Sequence, residues 1–228
     1  FFLDIGKDLS APVVKGVTGR HPLPDPAIMA STFESCGITA GTQVVAYDQS
    51  NGMYASRAWW LLNWLGHTDV AVLNGGFKAW MAAGFPVDNQ WTPPAEGHIT
   101  LTLRKELTVT KEEVAGHNFP LVDSREYKRF IGEIEPIDPV AGHIEGAVCM
   151  PYQDNVNEDG TWKSPDFLKQ KFRELSSSTP EPVFYCGSGV TACHNILAYK
   201  IATGHNARLY GGSWSEWINY YPPVTGAK

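Results

Sequence analysis

The chain has 228 residues, 43% of them hydrophobic, and a formal net charge of −6 at pH 7. This length and apolar content suffice for one large or two small domains, each with its own core. The acidic balance argues against nucleic acid or an anionic membrane surface as a partner. The sequence contains no run of eighteen apolar residues, so it does not predict a membrane-spanning helix. A small anionic substrate would therefore have to be held by local donors.

Two stretches of the chain resemble each other at a spacing of 138 positions (44 against 182): residues 44–48 read VVAYD and residues 182–186 read PVFYC. Further on, a Gly-Gly turn followed by tryptophan occurs in each half, at Gly75 and at Gly211. The chain is therefore a tandem duplication. A break rich in proline and small polar residues at 89–97 predicts a linker at 89–99, between a first domain at 1–88 and a second at 100–228.

Hydrophobic periodicity predicts the same elements in each copy. In the first copy these are a strand at 43–47, a helix from about 54 to 65, a strand at 70–73 and a helix at 77–83. The second copy has an earlier part, with a helix starting at 110–113 and a strand at 121–123, before its strand at 182–185 and helix at 193–202. The first copy has no counterpart of that earlier part, since the sequence starts at Phe1. We therefore expect the chain to begin partway into its first domain. The alternation predicts an α/β fold with parallel sheets covered on both faces by helices.

Four cysteines at positions 36, 149, 186 and 193 show no paired spacing. Neither a disulfide framework nor a zinc site is indicated, and we expect no metal and no cofactor. The expected location is a reducing compartment, the cytoplasm or another such as the mitochondrial matrix. Because residue 1 is Phe, we also expect the native N-terminus and any targeting segment to be absent.

The most informative stretch is the loop at 186–192, which reads CGSGVTA between the predicted strand and helix. In parallel sheets, ligands bind beyond the carboxyl ends of the strands, which is where Cys186 falls. Two glycines allow successive backbone N–H groups to turn inward, and the helix start offers unpaired amides and the positive end of its dipole. These donors favour a thiolate, so the loop predicts a nucleophile. The alternative is a buried cysteine beside a glycine turn.

These seven residues resemble the active loop of sulfurtransferases of the two-domain rhodanese superfamily. The neutral Cys-Gly-Ser-Gly-Val-Thr form is similar to that of the 3-mercaptopyruvate branch, whereas thiosulfate-preferring members usually carry basic residues directly after the cysteine. The resemblance extends over nearly all 228 residues. It implies tandem rhodanese-like domains, the first of them catalytically silent because Asp48 occupies the place of Cys186.

The resemblance also implies an activity. Sulfur would pass from 3-mercaptopyruvate to Cys186 as a persulfide, and then to a thiol, a thioredoxin-like protein or cyanide. Ser188 would assist proton handling, and His21 would reach the loop across the domain cleft in a Ser-His-Asp arrangement, with Asp4 or Asp8 as its acidic partner. Arg129, in an Asp-Ser-Arg…Arg-Phe pattern, would bind the substrate anion. Backbone donors of the loop would complete the substrate site: Gly187, Gly189, Val190 and Thr191.

One position departs from the family pattern. Members often carry a second arginine nine residues after the first, where this chain has Asp138. A different loop, or Arg125 of the Asp-Ser-Arg motif, would have to compensate, although such an arginine more often ties the strand end to its neighbours.

Other interpretations of the same residues stay open. Ser188 and Thr191 could cap the following helix, His21 could be an ordinary turn residue, and Arg129 could lie in solvent. His143 is expected to be a hydrogen-bonding core residue. The apolar row between Trp59 and Leu65 is expected to form core and domain interface.

Rival functions are also distinguishable. A phosphatase of related fold needs an arginine six positions after the cysteine, where this chain has Ala192. A cysteine hydrolase needs a strong histidine pattern, which the sequence does not carry. A non-catalytic persulfide carrier and a thiosulfate:cyanide sulfurtransferase stay as alternatives.

Overall fold

The first half of the chain forms a small parallel sheet. In the computed structural model, which describes residues 1–177 and 179–227, helix α1 (Pro26–Glu34) precedes strand β1 (Val44–Ala46). Helix α2 (Met53–Trp64) then crosses to strand β2 (Val70–Val72), and helix α3 (Gly76–Ala82) follows. The two strands pair in parallel, so α2 is the crossover of a βαβ unit.

The second half contains a larger parallel sheet and the helices around it. In chain order its elements are α4 (Lys111–Ala115), β3 (Leu121–Asp123), α5 (Tyr127–Phe130), β4 (Val148–Cys149), α6 (Pro165–Lys171), β5 (Val183–Tyr185), α7 (Thr191–Thr203), β6 (Arg208–Leu209) and α8 (Ser213–Trp217). The strand order is β4-β3-β5-β6, with every pair parallel. The central position of β5 places its carboxyl end, and hence Cys186, at the middle of the sheet edge.

The predicted α/β class with parallel sheets flanked by helices is confirmed. Helix α7 begins at Thr191, two residues before its predicted start, so the loop after Cys186 leads directly into the first helical turn. The proposed domain boundaries stay a prediction. Within the described residues, no helix is both long enough and apolar enough to cross a membrane.

The two copies share one hydrophobic core. Helices α2 and α7 pack against each other, and a single buried cluster includes apolar side chains from both. The members of the predicted apolar row of α2 and its C-cap are all buried in it: Trp59, Trp60, Leu61, Leu62, Trp64 and Leu65. A second cluster covers the opposite face of the larger sheet. The row is thus core and domain interface, as predicted.

A buried polar contact crosses the same interface. The Nε2–H of His194, on α7, donates to the backbone carbonyl of Asn51 at 3.1 Å, and its Nδ1 accepts from Asn155 Nδ2 at 3.1 Å. The ring also stacks on Trp162, with centroids 4.2 Å apart. Burial lowers the pKa of His194 from its ordinary 6.5 to about 4. In the neutral imidazole both ring nitrogens are therefore hydrogen-bonded, one as donor and one as acceptor.

This histidine should make the fold acid-sensitive. Because the folded-state pKa of His194 lies below the unfolded value, the unfolded chain binds the proton more tightly. The stability that neutral His194 contributes is present above pH 6.5 and is lost as pH falls towards 4. We expect His194→Gln to remove about 2 kcal/mol of the loss in unfolding free energy between pH 7 and pH 5. Urea unfolding at both pH values measures this, with the exposed His205→Gln as control; equal acid losses in wild type and His194→Gln would contradict the assignment.

Candidate active site

The loop after β5 holds the Cys186 side chain by its own backbone. The Gly189 N–H donates to Cys186 Sγ at 3.1 Å. The Cys186 N–H donates to Ser213 Oγ at 3.1 Å, and its carbonyl accepts the N–H of Trp214 at 2.9 Å. Of the four loop residues predicted to supply donors, Gly189 is the one whose amide reaches the sulfur within the described part of the chain. The side chain is only 1% exposed, so the thiol lies at the base of the loop.

Only glycine fits at position 189. Its φ is +78°, in the left-handed region, and an added Cβ would lie 2.4 Å from the carbonyl oxygen of Gly211. A side chain would therefore meet both backbone strain and a fixed backbone atom. The conformation that aims the Gly189 amide at the sulfur depends on this absence of a side chain.

The corresponding loop of the first copy holds an anion of its own. Asp48, at the position of Cys186, accepts backbone N–H groups from Ser50 and Gly52 with Oδ1, and from Tyr54 and Ala55 with Oδ2, at 2.8–3.1 Å. The loop between β1 and α2 is thus a cradle of amides filled by its own carboxylate. The cradle favours an anion at this position, and in the second copy the residue at this position is Cys186.

Ser188 and His21 meet across the two halves. His21 Nδ1 lies 2.8 Å from Ser188 Oγ. Burial, then the positive charges of Arg57 and Arg20, lower the pKa of His21, which keeps the ring neutral at pH 7. Helix α7 has Val190 as its N-cap with no side-chain hydrogen bond, so the alternative in which Ser188 and Thr191 cap the helix is wrong.

The predicted acidic partner of His21 does not contact its ring directly, as a Ser-His-Asp arrangement would require. Asp4 accepts the N–H groups of Gly6 and Lys7, and Asp8 accepts the N–H of Asp4. Within the described residues neither carboxylate hydrogen-bonds the imidazole. Asp4 acts on His21 through its charge alone, raising its pKa against the larger opposing effects.

Two guanidinium groups converge above Gly187. A Cβ built on that glycine would lie 2.9 Å from Arg20 Nη2, and 3.6 and 3.7 Å from Arg129 Nη2 and Nη1. Asp138, the departure from the family pattern, pairs with both: Arg129 Nη2 lies 3.2 Å from its Oδ2, and Arg20 Nη1 contacts its Oδ1. Arg129 also pairs with Glu135 at 2.7 Å. Asp138 thus pairs with a second arginine, Arg20 from the other half of the chain, at the mouth of the loop.

Arg125 does not compensate for the missing arginine. Its side chain is 1% exposed and forms a buried pair with Asp123 at 2.6 Å, donating also to the carbonyl of Gly142 at 2.7 Å. That pairing ties the end of β3 to its neighbours. His143, expected to be a core residue, is buried with Nδ1 2.8 Å from the carbonyl of Phe130.

Three site residues were missed by the sequence analysis. Arg20 carried no motif of its own. Ser213, which accepts the Cys186 N–H, is a non-glycine residue at φ +54°. Arg57, on α2, is fully buried and donates to the carbonyl of Gly189 at 3.1 Å. A lone arginine in an apolar helix was the signal that could have identified it.

Comparisons with known proteins show what the chain as a whole is similar to. A family profile described as Rhodanese-like domain matches residues 13–83 and 106–220. A probable 3-mercaptopyruvate sulfurtransferase of Pseudomonas aeruginosa is 48% identical over 95% of this chain and 79% of its own. A thiosulfate sulfurtransferase of Cricetulus griseus is 39% identical over 89% of this chain and 72% of its own. The structure of a 3-mercaptopyruvate sulfurtransferase from Leishmania major superposes with a TM-score of 0.82 at 32% identity, over 94% of this chain and 61% of that one. This chain thus spans less than two thirds of that solved relative.

Substitution at Gly189 tests whether the loop amide governs the thiol. Gly189→Ala should slow iodoacetamide labelling of Cys186 at pH 7 at least ~10-fold, because the clash with Gly211 turns the amide away from the sulfur and the thiolate loses its donor. Gly204→Ala is the matched control: Gly204 has φ +76° but open space around its Cβ position, so it carries the strain without the clash. Peptide mass spectrometry of the labelled cysteine measures both, and equal labelling rates in the two variants would count against the assignment.

Proposed function

The chain belongs to the rhodanese-like domain family, and from that premise we propose that it is a sulfurtransferase that takes sulfur from 3-mercaptopyruvate. The observation that carries the proposal is the combination at one loop of a cysteine sulfur held by a backbone amide and two guanidinium groups above it. The first gives a nucleophile, and the second gives a site for a small anion. The first copy carries Asp48 instead and is silent.

In the first half-reaction the Cys186 thiolate attacks the sulfur of 3-mercaptopyruvate. A bond forms between the two sulfur atoms, and the carbon–sulfur bond of the donor breaks. The electron pair of that bond leaves with the carbon as pyruvate enolate, which takes up one proton to give pyruvate. Cys186 is left as a persulfide, whose negative charge the Gly189 amide stabilises.

Ser188 and His21 are suited to proton transfer. The Ser188 hydroxyl can give its proton to the enolate and recover one through the neutral ring of His21, 2.8 Å away. The lowered pKa of His21 keeps the imidazole free to receive a proton from the incoming donor thiol. Both roles are part of the proposal.

Arg129 and Arg20 form the proposed anion site. Arg129 is 12% exposed at its side chain and Arg20 is 33% exposed, so both can reach a ligand at the mouth of the loop. A planar carboxylate accepts paired N–H groups from guanidinium better than from ammonium. The α-keto acid end of 3-mercaptopyruvate therefore fits here, with Asp138 holding the two arginines in place.

The second half-reaction returns the enzyme to its starting state. An acceptor thiolate, from a small thiol or a thioredoxin-like protein, attacks the outer sulfur of the persulfide, and the sulfur–sulfur bond to Cys186 breaks. Cyanide would remove the same atom as thiocyanate. All four cysteines are unpaired, which fits a reducing compartment such as the cytoplasm.

Thiosulfate is the second candidate donor, since relatives of both names match the chain. The two donors are separated by comparing kcat/KM for each on the same preparation. A higher value for 3-mercaptopyruvate supports the proposal, and a higher value for thiosulfate overturns the choice of donor while leaving the persulfide chemistry intact.

Cys186→Ser should abolish sulfur transfer and leave the fold intact, because a hydroxyl cannot hold the transferred sulfur. Thiocyanate release measures turnover, and the intact mass after donor treatment shows whether one sulfur atom has been added. Cys36→Ser, altered at a half-buried cysteine of the first half, is the control and should behave as wild type. Thiocyanate release by Cys186→Ser at the wild-type rate would refute the mechanism. A wild-type persulfide without turnover would instead identify a sulfur carrier.

Removing either arginine should weaken donor binding. Arg129→Ala should raise KM for 3-mercaptopyruvate more than ~10-fold, since one charge-assisted contact is worth about 1.5–3 kcal/mol. Arg20→Met should also raise KM, by ~3-fold or more, with a smaller change in kcat. Arg104→Met, at an arginine paired with Glu106 away from the loop, is the control. Unchanged KM in both site variants would move the anion site elsewhere.

A further inference from the structure

A row of ion pairs joins the two halves of the chain at the mouth of the loop after β5. It alternates arginine and carboxylate, and each member contacts the next. Arg20 Nη1 contacts Asp138 Oδ1, Asp138 Oδ2 lies 3.2 Å from Arg129 Nη2, Arg129 Nη2 lies 2.7 Å from Glu135 Oε1, Glu135 Oε2 lies 3.3 Å from Arg125 Nη1, and Arg125 Nη2 lies 2.6 Å from Asp123 Oδ2. Three cations thus face three anions, so this ion-pair row has no net formal charge.

Two carboxylates of the ion-pair row are buried, whereas two of its arginines are partly accessible. The side chains of Asp138 and Glu135 are 2% and 4% exposed, against 33% for Arg20 and 12% for Arg129. The Asp138 N–H donates to Glu135 Oε1 at 3.1 Å, which holds the two acidic residues together. A ligand can therefore reach the two guanidinium groups above Gly187 but not the carboxylates. Buried charges are screened little by water and salt, so a ligand at the guanidinium groups still interacts with them.

The charge of a ligand decides how strongly Asp138 opposes its binding. Asp138 already pairs with both accessible arginines, and the loop at 186–192 has no basic side chain to add. Attraction to the arginines and repulsion from Asp138 both grow in proportion to the charge of the ligand. A dianion also loses more hydration than a monoanion when it leaves water. A mouth whose ion pairs are already balanced therefore favours a ligand with one negative charge.

We propose that Asp138 is a specificity-determining residue whose buried charge, together with that of Glu135, selects sulfur donors that carry one negative charge. This inference rests on the proposed function and adds the charge of its substrate. 3-Mercaptopyruvate carries a single carboxylate and a thiol whose proton His21 can receive. Thiosulfate is a dianion at neutral pH. Asp138 acts through Arg20 and Arg129, which touch the ligand, and it sets how much of their positive charge is left for the donor.

The test measures anion binding at the mouth and needs no sulfur donor. Pyruvate, a monoanion, and sulfate, a dianion, are titrated at constant ionic strength as protectants of Cys186 against iodoacetamide, and each variant is compared with its own unprotected rate. The labelled site is assigned by fragment ions, since one tryptic peptide also contains Cys193. In Asp138→Asn the half-protecting concentration of sulfate should fall at least ~5-fold relative to that of pyruvate, because a dianion is repelled by Asp138 more strongly than a monoanion. Arg57, a further cation bonded to this loop, is the same in every variant, so the comparison isolates the charge at position 138.

Two matched variants separate the charge of the carboxylate from its position. Asp138→Glu keeps the charge and should retain the wild-type ratio of the two half-protecting concentrations, even where displaced arginines weaken protection by both anions. Glu133→Gln removes the charge of an exposed carboxylate that pairs with Lys128, and it should also match wild type. A merely structural role of Asp138 would weaken protection by both anions equally and leave the ratio unchanged.

A folded Asp138→Asn with the wild-type ratio overturns the proposal, and so does an Asp138→Glu ratio shifted as far as that of Asp138→Asn. Absence of protection by both anions in wild type also overturns it, because the mouth would then bind neither. If Asp138→Asn does not fold, Glu135→Gln decides: a shift towards sulfate supports the proposal, and the wild-type ratio overturns it.

Kinetics extend the test to the donors themselves. Asp138→Asn should raise kcat/KM for thiosulfate relative to that for 3-mercaptopyruvate, and an unchanged or lower relative value contradicts the proposal. Failure of the proposed function would appear separately, as an absence of sulfur transfer in wild type with the shift towards sulfate intact.

Discussion

Gly189 is the residue on which the site depends, because it is hydrogen-bonded on both sides. Its amide holds the Cys186 sulfur and its carbonyl accepts from Arg57 of the other half. Its φ of +78° and its closeness to the Gly211 carbonyl leave no room for a side chain. Cys186 is therefore coupled, through Gly189 and Arg57, to the packing of α2 against α7 in the core that the two copies share.

The duplication provides a comparison within one molecule. Both loops stand between a parallel strand and a helix start, and both present amides to the residue at the strand end. In the first copy a carboxylate takes four of those amides and fills the cradle permanently. In the second copy the Cys186 sulfur accepts one amide at 3.1 Å. The two loops therefore differ both in the side chain at the strand end and in which backbone amides it accepts.

Much of the fold could be predicted from the sequence because its signals are local. The apolar run before Cys186, the glycines after it and the helical spacing beyond it each act within a few residues. His21 and Arg129 were identified through a resemblance. Neither local signals nor the resemblance placed Arg20 and Arg57 at the site. Their contacts with Ser215 and Gly189 span 195 and 132 positions and depend on how the two halves pack. Asp138 stands where family members often have an arginine, and it pairs with both Arg129 and Arg20. That pairing depends on the three-dimensional structure and is not visible in the sequence.

The first half of the chain contributes groups to the loop of the second half. The loop after β5 offers a backbone amide to Cys186, and the second copy's own arginines near it are paired with carboxylates, Arg125 with Asp123 and Arg129 with Glu135. The first copy contributes three groups at once: His21 against Ser188, Arg20 at the loop mouth and Arg57 beneath Gly189. Each is held by packing and not by a flexible linker, because Arg57 is fully buried and the Arg20 amide donates to Ser215. Separation of the two halves would therefore remove the Arg57 hydrogen bond to Gly189, the proposed proton carrier and one of the two proposed substrate cations in a single step. The proposed site therefore gives a physical reason for a half of the chain that has Asp48 in place of the cysteine, since that half supplies several groups of the proposed site.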